Sequence, residues 1–487
     1  MATANAGIIR KGRDRDRSLG KGSHALWLET ASPPPQLVRD GTQHIPVAMP
    51  VMKAFSKRAF ESNTLRVISA LAGGNFLATL IGVLGSLVQA RYVSPADLGY
   101  FRGFTIATGY AFFFHLGLLD AMQRLYPYYV GKGDDNRARS IAEICQAWMA
   151  GVTVVVSGAF VLMAAVSLWR GNERAMLGWL VQALAMVGFI YGGYMSATYR
   201  SGHDFTSLAK GGVYSSIASV LVLPLFLLWP YFAMAVRSGI SSLVNILYLH
   251  ARRPLRLKLR FAWGEWFELV KGGIPIFVAS YGAATLWSVV ETSLVLRFLG
   301  AGALGLWSMG FMVLEAANKV PQAVTAVYVP RLTETLGRTS DVAACLRLCK
   351  KPLAFGVPAM IALAVVGSLA LRFLVPVVMP KYIAAIPTMS LMLLMLPLIV
   401  LDTPYAILVA MGKILHQNVA VYAGLGSFAL LALAAINLGF GLNGVVAASL
   451  VGRVVRLVAV YTSLYRVSRY PVVAEAAMPA QTSQTEA

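Results

Sequence analysis

Gln89-Ala90-Arg91-Tyr92-Val93-Ser94-Pro95-Ala96-Asp97-Leu98-Gly99-Tyr100-Phe101 has a counterpart about two hundred residues later, Val295-Leu296-Arg297-Phe298-Leu299-Gly300-Ala301-Gly302-Ala303-Leu304-Gly305-Leu306-Trp307. Each stretch closes a hydrophobic helix with Arg plus an aromatic and makes a tight turn of Gly, Pro or Ala. Each then opens a second hydrophobic helix with Leu-Gly. Two copies of one multi-helix unit in lipid point to a transporter with its substrate site between the copies.

The composition demands lipid. Hydrophobic residues make up 57% and charged residues 13%, with a mean hydropathy of +0.65, whereas soluble domains carry about a quarter charged residues. The apolar runs are continuous rather than alternating, which fits helices and excludes barrel strands. The formal charge of +21 reads as basic loops facing anionic lipids. No zinc, RNA-recognition or helix-turn-helix signature accompanies it, so nucleic acid is not an expected partner. Cys345 and Cys349 sit four apart on a basic segment with too few neighbouring ligands for a metal site. All three cysteines read as inert, and no cofactor is implied.

About twelve spans follow, near 66–90, 98–122, 141–168, 177–198, 213–229, 231–250, 269–296, 303–326, 353–376, 383–411, 418–437 and 441–465. Residues 1–60, with the mixed charge run Arg10 to Arg17 and Pro33-Pro34-Pro35, read as a disordered basic cytoplasmic extension; Met49 and Met52 are alternative starts. The segments at 127–140, 199–212, 251–268, 331–352 and 412–417 are rich in Lys and Arg. The opposite loops hold little beyond Arg91, Arg170, Arg174, Arg297 and Lys381. The positive-inside rule then places both termini in the cytoplasm. The expected fold is an all-α polytopic membrane protein of two six-helix lobes, 61–250 and 269–466. A basic connector at 251–268 joins them, and a polar tail follows at 467–487.

With these residues laid out, the chain resembles the polysaccharide-transport, Wzx-like branch of the multidrug/oligosaccharidyl-lipid/polysaccharide exporter superfamily. The resemblance is carried by Ala90 to Tyr100, by His115-Leu116-Gly117-Leu118-Leu119-Asp120-Ala121, and by Tyr128-Tyr129-Val130-Gly131-Lys132-Gly133-Asp134. It implies flipping of an undecaprenyl-pyrophosphate-linked oligosaccharide across the bacterial inner membrane, for O-antigen, capsule or exopolysaccharide synthesis. It also implies a polymerase and glycosyltransferases as partners.

Charges inside spans are functional candidates. Counting residues from the span ends puts Arg102, Arg237 and Glu291 in the outer third. His115, Glu315, Lys319, Asp402, Arg453 and Arg456 then fall at mid-depth or in the inner half. Arg102, Arg237, Lys319 and Arg453 are the expected phosphate ligands, because Arg and Lys suit a pyrophosphate. Asn75 is an expected contact for sugar hydroxyls, and Glu291 and Glu315 are candidate ion-coupling sites. Against these stand blander readings: Glu315 pairing with Lys319 across one helical turn, and Asp402 with Arg456 stapling the tenth span to the twelfth. A cation or drug antiporter of the same superfamily is the alternative; it would want an embedded carboxylate in the first lobe, which offers only Asp120 and Glu143 near span ends. An enzyme is disfavoured, since no outward loop gathers carboxylates or histidines.

Overall fold

The repeated turn is where the two halves of the chain meet. The computed structural model describes residues 78–201, 204–255, 257–339 and 341–469; the N-terminal extension, Asn75 and residues 470–487 lie outside them. The first described helix, α1, covers 78–92. Ser94 then caps α2 (Pro95–Ala111), its hydroxyl accepting from the Asp97 N–H at 3.1 Å, with Pro95 at the first helical position. The second copy makes the same turn differently. There Gly300, at φ 82°, opens the helix that follows, a conformation available to glycine at no steric cost.

The remaining helices of the first half are α3 (Leu118–Lys132), α4 (Asp135–Trp169), α5 (Glu173–Met186), α6 (Gly192–Ser201), α7 (Phe205–Leu221) and α8 (Pro230–Ala251). The second half holds α9 (Trp263–Tyr281), α10 (Trp287–Leu294), α11 (Gly300–Thr339), α12 (Val342–Val378), α13 (Ile386–Leu393), α14 (Met395–Leu401), α15 (Tyr405–Ala410), α16 (Ile414–Asn437) and α17 (Gly441–Arg469). No strand occurs among the described residues. Nine of these helical stretches are long and apolar enough to cross a membrane, or ten with the pair α2–α3, bent by 45°. The sequence-based count of about twelve exceeds this for two reasons. The first span is described only from residue 78, and the seventh is divided between α9 and the long stretch Trp287–Lys319. After α8, the helix α9 begins at Trp263, with Glu265 in its first turn and Trp263 packed edge-on against Trp266.

Each half has its own core. Leu118, Met122, Ile144, Met149 and Tyr194 anchor the first, and Leu332, Cys345, Leu408 and Val460 anchor one in the second. A third cluster, including Leu98, Trp307, Tyr382 and Phe428, bridges them. The halves touch where α2 packs on α10 and α11, and where α3 packs on α9. Both contacts bring backbone against backbone. A Cβ at Gly99 would lie 1.7 Å from the Ala301 carbonyl oxygen, and one at Gly305 would lie 1.8 Å from that of Pro95. The two copies of the motif therefore clasp each other reciprocally, as elements related by a twofold axis must. At the same end Lys381 Nζ donates to the Tyr92 carbonyl at 2.6 Å and the Tyr382 hydroxyl to that of Val93 at 3.3 Å. The second clasp joins Gly117, φ 77°, to Gly273, whose Cβ would fall 2.2 Å from the Gly117 oxygen.

Candidate functional site

Between these clasps lies a cavity of about 460 Å³, walled by α1, α2, α5, α7, α8 and α11. Arg102, Arg237 and Lys319 all line it, and Glu315 is the one carboxylate among the described lining residues. Arg237, on α8, reaches α1. Its Nη1 donates to Gln89 Oε1 at 2.7 Å and its Nη2 to the Gly82 carbonyl at 3.2 Å, while its Nε is buried with no partner. Among the described residues neither the Arg102 guanidinium nor the Glu315 carboxylate meets a protein partner, and Lys319 Nζ reaches only Gln322 Oε1, at 3.5 Å. The expected Glu315–Lys319 pair is not formed. Both side chains are left to face the lumen.

The wall facing these cations is hydroxylic. Ser216 and Ser219 on α7, and Ser238, Ser241 and Ser242 on α8, line the same space. None of them was singled out in the sequence, although their spacing of three and four residues puts each set on one helical face. Serines are common in membrane helices, so without the partner helix the pattern has no address.

A second cavity, of about 340 Å³, lies in the second half and has a different electrical character. Glu291 and Arg453 pair at 3.7 Å, and Asp402 and Arg456 at 2.7 Å, so each cation has its own carboxylate. Arg453 also stacks over Trp287, which donates to Glu291 at 2.8 Å; Ser449 hydrogen-bonds the same carboxylate oxygen. The Asp402–Arg456 staple expected from sequence is present. Across the packed helices Glu291 stands beside Arg453, and Arg102 and Arg237 share a cavity with Lys319. π-helical turns interrupt the helices of this region at Gly282–Leu286 and Val295–Leu299. A third cavity, of about 350 Å³, contains Arg102, Ser308 and Glu315, so Glu315 lines all three. His115 lines none of them; its Nδ1 accepts the Gly117 N–H at 3.0 Å and its ring sits between Phe112 and Phe277.

Among the described residues the chain is a many-span helical bundle with reciprocally clasped halves and an interior polar cavity. Residues 88–376 match the family described as polysaccharide biosynthesis protein, and the chain belongs to that family. No curated protein matches it by sequence. Among solved structures it is similar to an inward-facing multidrug resistance MATE family transporter of the MOP superfamily, with TM-score 0.62 and 13% identity, covering 81% of this chain and 96% of that one. It is also similar to the lipid II flippase MurJ in an inward closed conformation, with TM-score 0.61 and 14% identity, covering 82% and 90%. An outward-facing MATE transporter gives TM-score 0.56 at 14% identity, covering 84% and 96%. The chain therefore shares the fold of these MATE and MurJ structures.

Proposed function

We propose that this protein flips a polyprenyl-pyrophosphate-linked oligosaccharide from the cytoplasmic to the outer leaflet of the bacterial inner membrane, by alternating access of its two halves. The observation that carries this reading is the convergence of Arg102, Arg237 and Lys319 on one cavity between the halves, against one carboxylate among the described lining residues. Several cationic donors at once are what a pyrophosphate requires. The hydroxyl wall of α7 and α8 is suited to sugar, and the polyprenyl tail stays in the bilayer. The membrane potential, negative inside, favours outward movement of anions by ~2.3 kcal/mol per charge per 100 mV, so a dianionic headgroup gains about twice that.

Arg453, engaged by Glu291, is assigned a structural role rather than a phosphate contact. That pairing also leaves Glu315 as the coupling carboxylate for a proton or sodium ion. A cation or drug antiporter would want an unpaired carboxylate in the first half. Glu143 is bound by Arg139 at 3.0 Å, and neither it nor Asp120 lines the cavities. Polymerase, glycosyltransferases and anionic lipids are the expected partners, and the protein itself performs no bond chemistry. Lys319→Ala and Arg237→Ala should each abolish polymer export while the protein still inserts. Normal export by both would show that these cations are structural.

A further inference from the structure

The two copies of the repeat differ in charge at matched positions. The register that pairs Arg91 with Arg297 and Gly99 with Gly305 also pairs Gly85 with Glu291 and Arg102 with Ser308. In each half an arginine on the last span reaches the first span of that half at this matched place. Arg453 on α17 meets Glu291, at 3.7 Å. Arg237 on α8 lies over Gly85, where a Cβ would stand 2.6 Å from its Nη2. Both arginines keep a buried, unpartnered Nε, so the difference between them is the carboxylate. One copy supplies an acid, and the other leaves only glycine beside the neutral acceptors Gln89 and Gly82.

Resting on the flippase reading above, we propose that Gly85 is the specificity-determining position of the anion seat. By withholding the carboxylate that the second copy provides, it keeps Arg237 free for a phosphate or pyrophosphate group, and it confines that seat to the first half. An arginine already compensated by Glu291 has no net charge to offer an incoming anion, and a second anion there would face the carboxylate at close range. Among the described residues the hydrogen-bond partners of Arg237 are dipoles, the Gln89 amide and the Gly82 carbonyl, and these hold the guanidinium in place without neutralising it. A glutamate at position 85 would reproduce the Glu291–Arg453 arrangement in the first half. The atom nearest the new Cβ is the mobile end of Arg237, which can move aside to pair with it.

The test uses the full chain in lipid nanodiscs, with inorganic pyrophosphate as the probe and calorimetry as the readout. Wild type should bind pyrophosphate. Gly85→Glu should weaken binding at least tenfold, whereas Gly85→Gln, of the same size and uncharged, should stay within about threefold. Equal losses in the two variants would reduce the effect to crowding and overturn the proposal, as would an unchanged Gly85→Glu or a wild type that does not bind. If Gly85→Glu is not recovered folded, Arg237→Gln is compared with the double variant Glu291→Gln, Arg453→Gln. Loss in the first with retention in the second supports the seat, and the reverse overturns it. Polymer export is scored separately: a Gly85→Glu protein that loses pyrophosphate yet exports normally refutes the flippase reading and leaves the seat standing.

Discussion

Replacing Gly99 with alanine places a methyl group where the two halves have no room. The new Cβ would sit 1.7 Å from the Ala301 carbonyl oxygen and 2.7 Å from the Gly305 nitrogen. An ordinary carbon–oxygen contact needs about 3.3 Å, so α2 and α11 must separate locally by roughly 1.6 Å. Both obstructing atoms are backbone, and no side chain can rotate out of the way. Overpacking of this kind costs about 1–3 kcal/mol. If the clasp exists only while this end is closed, the whole cost falls on the closed state. The closed-to-open equilibrium then shifts by about 5–150-fold toward open. The assay is thiol labelling of Ser308→Cys, which lines the cavity, by an impermeant reagent applied from the side that the positive-inside rule predicts to be extracytoplasmic. The native thiols of Cys145, Cys345 and Cys349 are buried and give a quiet background. Labelling should accelerate in Gly99→Ala and also in Gly305→Ala, since the contact is reciprocal. Unchanged labelling in both would refute the gate. A fall in thermal stability without faster labelling would show that the clasp persists through the cycle.

Removing one member of the buried pair should be worse than removing both. Glu291→Ala leaves Arg453 uncompensated at a cost of about 3–5 kcal/mol, seen as a lower melting temperature, and adding Arg453→Leu should restore part of it; additive losses would deny the coupling. A cysteine at Lys258, exposed between α8 and α9, should be labelled only from the cytoplasm; labelling only from the periplasm would overturn the loop-charge topology. Removing residues 1–48 should leave insertion and export intact, because that stretch has no apolar run able to dock in the membrane; lost export at normal expression would reveal a partner for it.

Membrane residence, the helical class and the repeated motif were all legible in the chain, because each rests on local or periodic properties. Continuous apolar runs require helices in lipid, and the recurrence of Arg-aromatic-turn-Leu-Gly is visible without coordinates. The list of in-span charges was legible too, since a charge among apolar residues announces itself. Their grouping was not. Depth along a span does not say which helices meet; the packed helices join Glu291 to Arg453 and put Lys319 with Arg102 and Arg237. Whether an arginine is a ligand site or half of a neutral pair depends on which residue stands opposite on another helix. That choice is set by how the helices pack, which is not a property of a segment taken alone. Ser216, Ser219, Ser238, Ser241 and Ser242 show the same division: their spacing is written in the chain, but only the packing of α7 and α8 around the cavity turns two polar stripes into one wall.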